Sequence, residues 1–271
     1  MDEPGFSELG CQESKPSEAA ATKPKRVPWN VMAHLQAVLL ALIIALFVIT
    51  FIVQAFRIPS GSMEDTLLVG DYLLVDKTRF GPGGHWQAIL PYRNIRRGDI
   101  VVFHYPVDPT QHFVKRVIGL PGDRIRLWHS HVYINGVVLH EPYVVFKEHF
   151  ADEFRDNFPA GNRSGEDVAV EWARRLRSLV QDGELIIPPG QYFVLGDNRD
   201  QSLDSRYWGF VPRENILGRP WVIYFSIAQP DDDDDDAVAT STYDDKLSNL
   251  RARIFHVLGD LRWRRILRLA P

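Results

Sequence analysis

The chain has 271 residues, 45% of them hydrophobic and 24% charged, with a formal net charge of −4. These proportions exclude a wholly disordered chain and supply enough apolar material for one large domain or two small ones. The slight acidic excess argues against nucleic acid as a partner, and a single cysteine, Cys11, leaves no intramolecular disulfide and no cysteine-built zinc site.

Residues 1–30 are rich in Glu, Ser, Ala and Pro without hydrophobic periodicity, which predicts a disordered tail. Leu9-Gly-Cys11 resembles a lipid-attachment box only faintly, because no apolar run precedes it. From Ala37 to Val53 the chain carries no charge, and Thr50 is the one polar side chain. A transmembrane helix over 36–56 is predicted, since about twenty apolar residues cross a bilayer; a buried core helix and a cleaved signal sequence are the competing readings. Lys23, Lys25 and Arg26 precede the run, and Arg57 is the sole basic residue after it until Lys77, which predicts a cytoplasmic N-terminus.

Residues 57–229 read as a β-rich domain, with short apolar runs such as Tyr72–Val75, Ile100–Phe103, Phe113–Ile118 and Tyr192–Leu195 punctuated by Gly, Pro and Asp. Asn135-Gly136 between two such runs is a two-residue hairpin signal. The predicted fold is mainly antiparallel β behind one transmembrane helix. A helical insertion is expected at about 164–181, where Val168, Trp172, Leu176 and Leu179 recur at helical spacing and Ser164 begins a capping box; Trp172 reads as a packing residue. Six aspartates, Asp231–Asp236, mark an acidic linker over 230–245 rather than a calcium loop. Residues 246–271 read as a basic amphipathic helical segment, its stripe broken near Gly259-Asp260. Such a segment suits an anionic membrane surface, or packing on its own domain or on a second copy.

No His-Glu-x-x-His motif and no Gly-x-Ser-x-Gly elbow is present, so neither a metal site nor a serine-histidine elbow is expected. Just after the apolar run, Pro59 and Gly61 in Arg57-Ile-Pro-Ser-Gly-Ser-Met-Glu-Asp-Thr-Leu67 set a turn that would hold Ser60 and Ser62 on one side. Farther along, Lys115 and Arg116 interrupt an apolar strand, and alternation sends them to opposite faces, one inward. Lysine suits the inward position, because burial lowers its pKa and makes it a base for a serine hydroxyl, whereas arginine stays charged. A lysine snorkelling along a strand is the plainer alternative.

Ile58-Pro-Ser-Gly-Ser-Met63 after the apolar segment, Arg97-Gly-Asp-Ile-Val-Val-Phe103, Val114–Asp123 and Gly196-Asp-Asn-Arg-Asp-Gln-Ser-Leu-Asp-Ser-Arg-Tyr-Trp-Gly209 resemble, in the same order, the motifs of bacterial type I signal peptidases (leader peptidases). The resemblance implies a membrane-anchored serine endopeptidase with an antiparallel β catalytic domain. It would remove signal peptides from secretory preproteins after a small residue, without cofactor or metal, on the extracytoplasmic side of the plasma membrane, with lipid as a second partner. It assigns Ser62 as nucleophile, Lys115 as general base, and Ser60 with the Ser62 N–H as oxyanion hole. Ser202 would orient the lysine, Asp204 and Arg206 would form a supporting ion pair, and Gly196, Asp197 and Asn198 would shape the adjacent turn. Ile58, Met63, Leu67 and Phe113 match substrate-pocket or rim positions.

Three departures stand against the family pattern: Asp65 where proline is usual, Phe113 where tyrosine is frequent, and Gln201 where asparagine is usual. Asp65 beside Glu64 is expected to raise the pKa of a nearby lysine. A soluble self-cleaving repressor with the same dyad would carry a DNA-reading domain, which is lacking here. The other rival is a non-catalytic membrane-tethered β-domain that binds exported chains. The oligomeric state is left open.

Overall fold

The computed structural model describes residues 31–78, 80, 93–147, 152–159, 168–228 and 259–270. The tail 1–30, the acidic linker, Ser164 and the part of the basic segment before Gly259 lie outside the described residues. The chain divides into two units between Ile43 and Ile44.

The apolar run forms helix α1 (Val31–Phe47), which a π-helical turn extends over Val48–Ile52. The 22 residues from Val31 to Ile52 are long and apolar enough to cross a membrane, and none of them is buried in the protein. At about 1.5 Å per residue they reach about 33 Å. The helix therefore starts and stops earlier than the 36–56 expectation. Val53, assigned to the span on hydropathy alone, instead opens strand β1 (Val53–Arg57), because Val53–Arg57 pairs antiparallel with Asp76–Tyr72.

Among the described residues the body from Ile44 onward is built on two antiparallel sheets. The larger runs β1, β2 (Asp71–Asp76), β12 (Ile216–Ser226), β3 (Ile100–His104), β4 (His112–Gly119), β10 (Gln191–Leu195) and β11 (Val211–Pro212). The smaller contains β5 (Arg124–Trp128), β6 (His131–Ile134), β7 (Val137–Val138), β8 (Val180–Gln181) and β9 (Glu184–Ile186). Asn135 and Gly136 join β6 to β7 with φ of 51° and 79°, the paired positive φ that a two-residue hairpin demands. Helix α2 (Val170–Leu179) supplies the expected insertion and buries Trp172 and Leu176. Those two pack with Ile125, Leu185, Phe193 and Phe210 between α2 and the sheets.

The centre of the larger sheet positions the chemistry. Strand β4 lies between β3 and β10, with Lys115 opposite Val101, and Arg116 opposite both Ile100 and Leu195. Val101 and Val117 pack in one apolar cluster; Ile100, Val102 and Leu73 pack in another with Ile58, Met63 and Leu67. Both clusters bear on β4, so its two cations have no exposed face to escape to. Lys115 is 4% and Arg116 8% exposed.

The described part of the basic segment corrects the helical expectation. Residues Trp263–Arg265 form one 3-10 turn, and β13 (Arg268–Leu269) pairs antiparallel with β12. Tertiary pairing overrides the local helical pattern here, because β12 offers open ladder groups at Trp221 and Ile223 that Ala270 and Leu267 satisfy.

Candidate active site

Ser60 is extended, with φ −134° and ψ 153°, and leads into a 3-10 turn over Gly61–Met63. Ile58 and Met63, on either side, are pulled into the apolar cluster beneath β2. Burying two such side chains contributes about 1.5–3 kcal/mol each, and it fixes the turn with the Ser62 side chain over a cleft. Ser62 is 6% exposed, and Ser60 Oγ lies 3.4 Å from Ser62 Oγ. Lys115 Nζ, arriving from β4, donates to Ser62 Oγ at 2.6 Å.

Lys115 forms no ion pair within 4.0 Å among the described residues. Burial pushes its pKa down from 10.5 to about 8; Asp204 opposes the shift, Arg206 adds to it and Asp197 again opposes it. At pH 7 a pKa near 8 leaves about a tenth of the lysine neutral. That is enough for a base next to a hydroxyl in hydrogen-bond contact.

The other face of β4 solves the burial of a cation differently. Arg116 donates through Nε and Nη2 to both oxygens of Asp197 at 2.8 and 2.6 Å, and its guanidinium lies 3.9 Å from the Tyr143 ring centroid. A permanent cation receives a bidentate carboxylate, whereas the titratable one receives only a hydroxyl.

The loop 196–204 and the helical turn Ser205–Trp208 that follows it close the site. Asn198 N donates to Ser62 O at 3.2 Å, and Asn198 Nδ2 to Gly61 O at 3.3 Å, so the serine turn hangs from this loop. Asp197 also accepts from Thr66 Oγ1 at 2.6 Å. Asp204 and Arg206 are both fully buried and paired at 2.8 Å through two contacts; the guanidinium holds the Asp204 carboxyl below its usual range against its own burial. Trp172 Nε1 donates to Arg206 O at 2.9 Å, which makes this tryptophan a packing and anchoring residue.

Gly196 is required by space. A Cβ there would stand 2.3 Å from Ser202 Oγ and 2.5 Å from Ser62 O. Ser202 is thus wedged against the serine turn; its hydroxyl helps to lower the Asp204 carboxyl, and among the described residues it has no hydrogen-bond partner within 3.5 Å. It is therefore close to the site without a bond that orients Lys115.

A cleft of about 590 Å³ opens on this constellation, lined by Ile58, Ser60, Ser62, Met63, Phe113 and Lys115 among others. Leu67 is a correction: it is fully buried in the core and does not line the cleft. Apolar character alone cannot separate a pocket wall from the layer beneath it. The walls also include Phe56, Gln111, His112, Gln201 and Leu203, which the sequence reading did not assign to the cleft. Gln111 was recoverable by two-residue alternation from Lys115 and Phe113. His112 lies against Phe56, with ring centroids 5.2 Å apart; burial and neighbouring His104 push its pKa down.

The acidic pair at 64–65 does not act on Lys115. Lys147 Nζ meets Glu64 Oε1 at 3.0 Å and Asp65 Oδ1 at 3.5 Å, and it is the Lys147 pKa that rises, by its bond to Glu64 first. Asp65 has φ 70°, a left-handed conformation open to aspartate and closed to the proline usual in the family pattern.

Residues 31–225 match the family model described as signal peptidase, peptidase S26. The chain is 36% identical to the signal peptidase I of Pseudomonas fluorescens over 66% of its own length and 67% of the relative's. It is 35% identical to the signal peptidase I of Aquifex aeolicus over 65% and 77%. A crystal structure of a signal peptidase I from Enterococcus faecalis shares 33% identity, covering 47% of this chain and 97% of that one with a TM-score of 0.32.

Proposed function

The chain belongs to the signal peptidase family, peptidase S26, and from that premise we propose that it removes signal peptides from preproteins by a Ser62–Lys115 dyad. The supporting observation is the contact of 2.6 Å between Ser62 Oγ and a buried lysine whose pKa is pushed down to about 8. Neutral Lys115 Nζ accepts the Ser62 proton as Oγ attacks the scissile carbonyl. The resulting ammonium returns that proton to the leaving amine, and the lysine then activates the water that releases the acyl group. Ser60 Oγ and the Ser62 N–H are the donors proposed for the oxyanion, a charge present only along the reaction path.

An extended substrate would lie in the cleft, with small side chains at the first and third positions before the cut facing Ile58, Met63 and Phe113. Val31–Ile52 would anchor the enzyme, with the N-terminus cytoplasmic and the body outside, as the basic residues before the span indicate. The test is cleavage of a detergent-solubilised preprotein by wild type, Ser62→Ala and Lys115→Met across about pH 6 to 10, with mass spectrometry of the product ends. A wild-type cut after a small residue, lost in both variants, is expected. Normal cutting by either variant would refute the dyad and favour the non-catalytic reading.

A further inference from the structure

Residues 259–270 lie beyond the span 31–225 that matches the family, and the chemistry above uses none of them. They nevertheless reach the back of the nucleophile turn. Arg265 Nη2 donates to Asp71 Oδ2 at 2.6 Å and to Thr66 O at 3.1 Å, while its Nε lies 3.2 Å from Asp71 Oδ1. Arg262 Nη1 donates to Val69 O at 2.9 Å. Two guanidinium groups thus grip the backbone and one carboxylate of the segment 66–71.

That segment is the frame from which the catalytic turn hangs. Ile58 N donates to Asp71 O at 2.9 Å, Gly70 N to Ile58 O at 3.0 Å, and the N–H groups of Thr66 and Leu67 both reach Met63 O. Thr66 is held at both ends, its hydroxyl on Asp197 and its carbonyl on Arg265. Asp71 has no exposed surface, and it also accepts from Leu68 N at 2.9 Å and Ser226 Oγ at 2.6 Å. A buried carboxylate of this kind requires a partner, and a bidentate arginine is the strongest available.

The grip has a firm base. Leu267 N donates to Ile223 O at 2.8 Å, Ala270 N to Trp221 O at 2.9 Å, and Arg262 N to Ser226 O at 3.1 Å. The segment is therefore stitched to β12, which itself pairs with β2 from Asp71 onward, Ser226 standing opposite Asp71.

We propose that Arg265 is a positioning residue for the nucleophile: by fixing Asp71 and the Thr66 carbonyl it holds Ile58–Met63, and so Ser62, within reach of Lys115. The inference rests on the Ser62–Lys115 reading. Its consequence is kinetic, because a displacement of about 1 Å at the reacting atoms can cost about 100-fold in rate. Arg265 does not line the cleft, so it makes no contact of its own with substrate.

The experiment uses the full chain in detergent and a quenched peptide with Ala at the first and third positions before the cut. A serine-acylating probe counts competent sites. Arg265→Ala is expected to lower kcat per titrated site about tenfold or more, with KM within about twofold. The acidic limb should stay in place, because Asp204, Arg206 and Asp197, the charges acting on Lys115, are unaltered. Arg265→Lys keeps a cation beside Asp71 but lacks the planar fork that spans two acceptors, and its kcat should fall between the two. The exposed neighbour Arg264 serves as control, and Arg264→Ala should match wild type.

Wild-type kcat per site in Arg265→Ala, or a loss confined to the number of competent sites, would overturn the proposal. Should the alanine variant fail to fold, wild-type kcat in Arg265→Lys overturns it equally. Ser62→Ala and Lys115→Met are assayed alongside. Activity in either refutes the dyad itself, whereas two dead dyad variants beside a normal Arg265→Ala refute only the positioning role.

Discussion

Replacing Lys115 by methionine should abolish cleavage and at the same time stabilise the fold. Burial moves the lysine from its ordinary 10.5 down to about 8, which at about 1.4 kcal/mol per unit corresponds to about 3 kcal/mol. The sign follows from proton counts. Between pH 8 and 10.5 the unfolded chain binds the lysine proton and the folded chain does not, so the lysine's contribution to stability rises with pH across that window. Below it the folded state carries the full cost of a buried ammonium. Methionine fills nearly the same volume and removes that cost, while losing one hydrogen bond to Ser62 worth about 1 kcal/mol. Guanidinium unfolding of the detergent-solubilised protein, followed by tryptophan fluorescence, should show the variant more stable by about 2 kcal/mol near pH 7. The advantage should shrink as pH rises and reverse to about 1 kcal/mol in favour of wild type near pH 10.5. A variant less stable than wild type at neutral pH, or a difference independent of pH, would refute the burial argument.

The rate with a small-residue peptide should climb with pH and level off above about 8. Asp65→Asn and Glu64→Gln should leave that limb in place, since both carboxylates face Lys147; movement by about half a unit or more would show that they reach the dyad. Asp204→Asn removes the strongest influence raising the Lys115 pKa, so the acidic limb should move to lower pH; an upward move would contradict the assignment. The same change leaves Arg206 buried without its carboxylate, and chemical denaturation should report a loss of about 3–5 kcal/mol. Gly196→Ala drives a methyl into Ser202 and the Ser62 carbonyl, and kcat per titrated site should fall about 100-fold; an unaffected rate would mean that the turn need not be fixed there.

Much of the site was legible because it depends on local rules. Strand alternation through Phe113, Lys115 and Val117 predicts an inward lysine, and Asn135-Gly136 predicts its hairpin, whatever the rest of the chain does. What stayed hidden depends on partners distant in sequence. Nothing near Asp65 in sequence points to Lys147, so the lysine whose pKa this carboxylate helps to raise is Lys147 and not Lys115. The arginines of 262–268 fit a helical stripe as well as a strand, and only the open edge of β12 and the buried Asp71 decide between them. Leu67 was misread for a related reason: an apolar residue beside a cleft motif packs in the second layer as readily as the first.

Adjacent Lys115 and Arg116 show how one strand produces a titratable group and a fixed charge from two buried cations. Both are under a tenth exposed, so both carry a desolvation cost that water cannot relieve. On the Arg116 face the cost is met by Asp197 through two short bonds, and the pair is permanent because arginine does not release its proton. On the Lys115 face no carboxylate approaches within 4.0 Å among the described residues, Asp204 being held by Arg206 instead. The lysine then has only one way to reduce its cost, which is to give up the proton, and the nearest acceptor site that results is the lone pair facing Ser62 Oγ. Placing a carboxylate near that gap from the cleft side, as in Phe113→Glu, whose ring centroid lies 5.5 Å from Lys115 Nζ, should therefore favour the ammonium and lower kcat at neutral pH. Recovery of cleavage as pH is raised toward 10 would support this account; a variant as active as wild type at pH 7 would show that a neutral lysine is not what the reaction needs.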